Sequence, residues 1–391
     1  MSELSSDLDS RLLLEEAVQQ SGLDDFGDAS FREPFMLLAK DLDECANLSE
    51  AGRIGARMRL LSHLQTRLNV EAYYAQYPEI EDENIDVAAV IVGLPRTGTT
   101  MLHRVLSSDT QFLVPRFFES RFPTPPLDWD FSGDDPRIEW IQAEIDATLA
   151  ASPELAAVHP FQATGAEEEL MMLEHSFYST VPEAYYRVPN YGRWLEQNDN
   201  TPGYRYLLRL LKLLQWQKRR RGEQAEKWLL KTPHHLHHMD LLLDTFPTAK
   251  VIQTHRDPLQ TIPSIVSFHR YLCGMGSDSV DLPELALLWR DKFAAGMRKT
   301  LAARDARPGR FIDVDFRDTV ANPDTVIANI YREIDLPLTE SARAAMAQWR
   351  IDNPRDARPP HEYSLAEFGF TEEALIACFS EYRNRYIVAE D

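Results

Sequence analysis

Val87-Ala88-Ala89-Val90-Ile91-Val92-Gly93-Leu94-Pro95-Arg96-Thr97-Gly98-Thr99-Thr100-Met101-Leu102 decides the reading of this chain. Six apolar residues run without interruption, four of them β-branched, the pattern of a strand buried on both faces of a parallel sheet. A turn with two glycines, a proline and three threonines follows. Met101-Leu102-His103-Arg104-Val105-Leu106 then places apolar residues at helical spacing. Strand, glycine-containing polar loop and helix make the layout of a phosphate cradle, because amides at a helix N-terminus point outward and favour an anion. Compared with G-x-x-x-x-G-K-[ST], Gly93, Gly98 and Thr100 are in place and Thr99 stands where the lysine belongs. That lysine reaches the terminal phosphates of a nucleoside triphosphate, so its loss disfavours an ATPase or GTPase. The positive charge sits inside the loop instead, at Arg96.

A second strand–turn–helix unit lies downstream. Lys250-Val251-Ile252-Gln253-Thr254 reads as a strand, and His255-Arg256-Asp257-Pro258 opens a helix with Asp257 as N-cap and Pro258 at its first position. Ser264 lies eight residues beyond Arg256. An arginine off a strand end and a serine two turns into the helix bracket a monophosphate, the guanidinium giving a bidentate fork and the hydroxyl a further donor. Between these units, Trp228-Leu229-Leu230-Lys231 reads as another buried strand, with Lys231 at its end.

At these residues the chain resembles the sulfotransferase superfamily. Pro95-Arg96-Thr97-Gly98-Thr99-Thr100 matches its P-[KR]-[ST]-G-[ST]-[TS] loop at every position, and Arg256-Asp257-Pro258 with Ser264 matches its 3′-phosphate element. Leu230-Lys231-Thr232-Pro233-His234-His235 resembles a Lys-[ST]-Pro-x-His stretch of a bacterial branch, and further similarity spans roughly residues 25 to 385. The resemblance implies transfer of a sulfuryl group from 3′-phosphoadenosine 5′-phosphosulfate (PAPS) to a hydroxyl or amine, without a metal. It implies that Arg96, Thr97, Gly98, Thr99 and Thr100 hold the 5′-phosphate, that Arg256 and Ser264 hold the 3′-phosphate, and that Lys231 touches the sulfuryl group or the bridging oxygen. Arg355, Arg358 and His361 belong to a C-terminal loop that folds over the nucleotide in the family, and Arg358 is taken from it as a donor contact.

A base must remove the acceptor's proton. Glu119 is the first choice, because it lies 23 residues after Arg96, just before the stiff Pro123-Thr124-Pro125-Pro126 loop, where glutamate-dependent relatives place theirs. The histidine-dependent branch puts its base two residues after the lysine. Here that residue is Pro233, so His234 or His235 would have to shift in. The histidines at 234, 235, 237 and 238 also raise a metal site, but only Asp240 lies near to complete a ligand set, and no metal is expected.

The fold class expected is α/β: a P-loop-like parallel sheet flanked by helices. Residues 1–85 form a helix-rich N-terminal segment, with apolar periodicity over 11–20, 31–48 and 54–68. Residues 86–391 form the sulfotransferase-like domain, with a helical insertion at about 136–221 that includes helical patterns at 138–149, 166–177 and 204–216. Glu79-Ile80-Glu81-Asp82-Glu83-Asn84 reads as a solvated linker, and Lys218-Arg219-Arg220-Arg221 as surface charge at a helix end. The tyrosine-rich 181–191 segment is a candidate wall for an aromatic or apolar small-molecule acceptor. Arg310 to Phe316 forms a last strand, whose Asp313 and Asp315 imitate the acidic strand of Mg²⁺-dependent NTPases.

A net charge of −21 argues against nucleic-acid partners. Cys45, Cys273 and Cys378 match no disulfide or metal spacing, the N-terminus lacks an apolar signal region, and no apolar run approaches a membrane span, so a cytoplasmic location is expected. A P-loop kinase or NTPase, or a nucleotide-binding protein without catalysis, is the alternative to a sulfotransferase.

Overall fold

The computed structural model describes residues 6–151, 161–354 and 364–388. Its centre is a parallel sheet of five strands: β1 (Asp86–Gly93), β2 (Phe112–Leu113), β3 (Lys227–Lys231), β4 (Lys250–His255) and β5 (Phe311–Asp315), in the order β2-β3-β1-β4-β5. The uninterrupted apolar run is the central strand. Its Val87 to Val92 are buried because helices cover both faces. The chain leaves β1 toward β3 and β2 on one side and returns to β4 and β5 on the other. The loop after β1 therefore opens at the reversal of strand order, where such sheets bind ligands. Register brings Ile91 level with Lys231, Gly93 with Thr254, and His255 with Asp315, so the loops after β1, β3, β4 and β5 leave one edge together.

The N-terminal segment is helical, over Ser10–Ser21, Arg32–Glu44 and Glu50–Gln76. Phe31, Phe35, Leu38, Leu60 and Leu64 share a core with Phe177, Tyr178 and Tyr191 of the insertion. Buried Asp41 accepts hydrogen bonds from the amides of Asn190 (2.7 Å) and Tyr191 (2.9 Å), which tops the helix Pro189–Gln197. At the far end of the helix Pro258–Gly274, the Ser49 amide donates to the Gly276 carbonyl at 3.0 Å.

Two local expectations are corrected. The acidic 79–84 stretch leads into β1 with Glu79, Glu81, Asp82 and Asn84 exposed, as expected, but it is not a loose linker. It contains a 3₁₀ turn over Pro78–Asp82 docked on the helix Thr201–Arg220, where Glu83 meets Arg219 at 3.0 Å and accepts from Gln215 at 2.6 Å. The helix expected over 166–177 shrinks to Leu170–Glu174, because Glu168 and Glu169 turn away to bind Lys231 and His235.

Gly52 lies against Gly276. A Cβ at Gly52 would stand 1.8 Å from the Gly276 carbonyl oxygen. Glycine to alanine inside a helix ordinarily gains up to ~1 kcal/mol. Gly52→Ala is expected to lose about 1–3 kcal/mol instead, from backbone displacement in a packed contact. Urea unfolding checks this, and an unchanged or raised midpoint contradicts the packing described.

Candidate active site

Gly93 ends β1 with no room for a side chain, since a Cβ there would stand 2.2 Å from the Thr254 hydroxyl. Thr97 Oγ1 donates to the Leu94 carbonyl (2.7 Å) and accepts from Thr254 Oγ1 (2.6 Å), so neighbouring strands clamp the loop from beneath. The Thr97 side chain is wholly buried, which corrects the expectation that its hydroxyl faces a phosphate. Arg96 takes the left-handed conformation at φ 71°, unusual for a residue with a Cβ, and Gly98 follows at φ 85°. The helix Thr99–Leu106 starts without a side-chain cap, so the first-turn amides remain oriented for an anion.

Two clusters flank this loop. On one side, Arg96 Nε donates to Ser264 Oγ at 3.3 Å and Arg256 Nη1 donates to the Arg96 carbonyl at 2.9 Å. The Arg256 guanidinium lies 4.3 Å from the Phe316 ring centroid, and that ring also covers Gly98, where a Cβ would be 3.0 Å from it. The cation–π contact fixes the plane of the fork. Arg96 thus meets Arg256 and Ser264, which lie 160 and 168 residues further along the chain, at the mouth of the loop.

On the other side, Lys231 Nζ donates to Thr100 Oγ1 at 3.1 Å and forms an ion pair with Glu168. The Lys231 side chain is almost fully buried, and Glu168 keeps a fifth of its side-chain surface exposed. Behind them, Glu169 accepts from the Lys231 amide (2.8 Å) and from His235 Nε2 (2.8 Å), and His235 Nδ1 meets Tyr204 Oη at 2.6 Å. Sequence reasoning missed Glu168, Glu169, Tyr204 and Phe316. The Glu167-Glu168-Glu169 run was the available signal, since three adjacent carboxylates ahead of an apolar helix need cationic partners.

Glu119 does not face this crevice. It is fully buried, accepting from Lys218 Nζ (2.7 and 2.8 Å), Arg221 (2.7 Å) and the Arg116 amide (2.9 Å). Burial alone would raise its pKa, but Lys218, Arg116 and Arg221 outweigh it and hold the carboxyl at about 2. A carboxylate so engaged is a structural anion and a poor base. Lys218, expected on the surface, is the buried partner that makes it so. His235 is also corrected as a candidate base, because its side chain has no exposed surface and both ring nitrogens are engaged. Asp313 is taken by His255 and Arg304, and Asp315 caps the next helix through the Arg317 amide, so β5 does not present the acidic pair of an Mg²⁺ site. Arg358, with Arg355 and His361, lies outside the described residues.

Tyr186, Tyr191 and Pro182 of the 181–191 segment line a cavity with Leu38, Leu60 and Phe177. Arg59, paired with buried Glu174 (Nη2 to Oε2 2.7 Å), and His63 form its polar wall.

A parallel sheet with an anion-binding loop at its reversal point, two arginines at the loop mouth and a lysine–carboxylate pair beside it defines a nucleotide-dependent group-transfer enzyme without the loop lysine of NTPases. The family model described as "Sulfotransferase family" matches residues 89–340, and the chain belongs to that family. It is similar over 96% of its length to the crystal structure of sulfotransferase STF1 from Mycobacterium tuberculosis H37Rv, all of which is covered, at 30% identity and TM-score 0.83. It is similar to sulfotransferase STF9 from Mycobacterium avium at 26% identity and TM-score 0.88, over 99% of both chains. The omega-hydroxy-beta-dihydromenaquinone-9 sulfotransferase Stf3 of Mycobacterium bovis is 24% identical over 279 residues, 68% of each chain. The protein is a transferase of the sulfotransferase type, and neither a kinase nor a non-catalytic nucleotide binder is favoured.

Glu119→Gln is expected to destabilise the fold by about 3–5 kcal/mol by stranding Lys218 and Arg221. Because the folded pKa is depressed, the wild-type contribution is full above the ordinary value of 4.5 and is lost as pH falls toward about 2. Stability measured across that window should fall less steeply in the variant. A variant of wild-type stability with abolished turnover would return Glu119 to the catalytic centre.

Proposed function

We propose that this chain moves the sulfuryl group of PAPS to a hydroxyl on an apolar small molecule. The observation that carries the reading is the meeting of Arg96, Arg256 and Ser264 beside an uncapped helix N-terminus, with Lys231 and Glu168 on the far side of the loop. Those residues suit a donor with two separate anionic ends. The loop amides, Arg96 and Thr100 hold the 5′-phosphate. Arg256 and Ser264 hold the 3′-phosphate, the group that ATP lacks, and Phe316 offers a flat apolar face beside it.

Glu168 takes the place first given to Glu119. Its exposed edge receives the acceptor's proton as the acceptor oxygen bonds to sulfur. The bond from sulfur to the bridging oxygen breaks, and the electron pair leaves with the 5′-phosphate, where Lys231, Arg96 and the loop amides meet the developing charge. Sulfuryl transfer passes through a loose transition state, so positioning and charge do most of the work. The sulfuryl group carries less charge than a phosphoryl group, and lysine, arginine and amides suffice for it.

The acceptor class is supported by Stf3, whose named acceptor carries a hydroxyl on a menaquinone. A cytoplasmic setting agrees with the free thiols of Cys45, Cys273 and Cys378. No helix among the described residues is long and apolar enough to cross a membrane.

Radiolabelled sulfuryl transfer from PAPS to a panel of hydroxylated prenyl quinones, sterols and simple phenols tests the reading. Label is expected in an apolar alcohol. Glu168→Gln should lower kcat by ~10²–10⁴-fold with little change in donor KM, whereas Arg256→Ala should raise donor KM by ~10-fold or more through loss of a charge-assisted contact. Full activity of Glu168→Gln would remove it as the base.

A further inference from the structure

We propose that Tyr204, His235 and Glu169 form a buried positioning relay that sets Lys231 and Glu168 against the phosphate loop. The inference rests on the sulfuryl-transfer reading and concerns residues that touch no reacting atom.

Proton counting along the chain of contacts leaves one self-consistent arrangement for a neutral imidazole. The Glu169 carboxylate can only accept. One oxygen takes the Lys231 amide proton at 2.8 Å, and the other faces His235 Nε2 at 2.8 Å, so Nε2 bears the proton. His235 Nδ1 then presents a lone pair, and Tyr204 Oη at 2.6 Å donates to it. The charge states agree with these roles. Burial, with the Glu169 charge behind it, pushes the Tyr204 phenol well above its ordinary pKa and keeps it a donor. Burial would raise the Glu169 pKa, but the hydrogen bond and charge of His235, with the Lys231 amide, outweigh it and hold the carboxyl below its ordinary range.

The relay ties together three separate parts of the chain. Tyr204 sits on the long helix Thr201–Arg220, His235 in the 3₁₀ turn Pro233–His237 after β3, and Glu169 in the turn before the helix Leu170–Glu174. Its terminus is the backbone of Lys231, the last residue of β3, whose side chain reaches Thr100 and Glu168. Glu169 is the chain neighbour of Glu168. One carboxylate thus fixes the backbone under the lysine, and the next residue pairs with that lysine's ammonium. None of the three relay residues reaches solvent: Glu169 and His235 are 0% exposed and Tyr204 is 1% exposed. A simple buried polar cluster would stabilise the fold without regard to the chemistry. This one ends on both members of the reactive pair, and misplacement of about 1 Å in such a pair costs ~10²-fold in rate.

Tyr204→Phe removes only the phenolic oxygen, and Glu169→Gln replaces the acceptor at the other end. Long-range ¹H–¹⁵N correlation spectra on histidine-labelled full-length protein, with His235 assigned through His235→Gln, report the tautomer. The expected result is a wild-type ring protonated at Nε2 with Nδ1 accepting from Tyr204, an order lost or mixed in Tyr204→Phe. Affinity for 3′-phosphoadenosine 5′-phosphate (PAP) should stay within ~2-fold in both variants. The kcat for sulfuryl transfer should fall by ~10-fold or more at unchanged donor KM. An Nδ1-protonated or doubly protonated ring in wild type overturns the relay. So does a Tyr204→Phe enzyme that melts lower yet turns over at the wild-type rate. Wild-type protein that binds PAP and transfers sulfuryl to no acceptor would fail the enzyme reading, and the tautomer measurement would still decide the hydrogen-bond order of the relay.

Discussion

Burying an ammonium ion requires partners, and the arrangement of this site follows from how Lys231 finds them. Its side chain is about 2% exposed, in a protein region where an unpaired charge is prohibitively costly. The partners come from two other parts of the chain, Thr100 on the phosphate loop and Glu168 on the insertion. Satisfying one charge therefore locks β3, the loop after β1 and the 165–174 segment to one another. The same constraint explains the loop sequence. An NTPase carries its lysine within the loop, at the position held here by buried Thr99. Here the ammonium arrives from the adjacent strand and reaches Thr100 from the side, leaving the mouth of the loop to Arg96 and Arg256.

Buried charge also organises the ground beyond the site. Glu119 gathers Lys218, Arg221 and the Arg116 amide into a cluster under the loop that follows the helix Phe117–Arg121. Arg59 and Glu174 form a second cluster on the wall of the apolar cavity. Glu174 lies six residues after Glu168 on one short segment, so that segment links the Lys231–Glu168 ion pair to the wall of this small void.

Much of the architecture was legible in the sequence because its strands are apolar runs that end abruptly. Val87 to Gly93, Trp228 to Lys231 and Lys250 to Thr254 could be placed from hydrophobicity alone, and Asp257 does cap its helix by accepting from the Leu259 amide at 3.0 Å. β2, only Phe112–Leu113, leaves too short a pattern to detect. The residues proposed for the donor stood out because Arg96 and Arg256 follow strand ends and Ser264 lies two helical turns beyond Arg256. The base did not. Glu119 has the right position along the chain, but nothing in a linear reading says that Lys218, 99 residues later, neutralises it. Glu168 hid in a segment whose periodicity suggested a continuous helix. Its role depends on Lys231, 63 residues away, a contact made by the order of strands and invisible to local pattern.

The central claim is that the two arginines and Ser264 select a nucleotide by its 3′-phosphate. Isothermal titration of the full-length protein with PAP and, separately, with Mg-ATP tests it most directly. The account predicts tight binding of the bisphosphate and binding of Mg-ATP weaker by ~10-fold or more, the value of one charge-assisted phosphate contact. Equal or preferred binding of Mg-ATP would contradict it, because the loop would then be serving a triphosphate despite lacking the lysine that such a ligand needs.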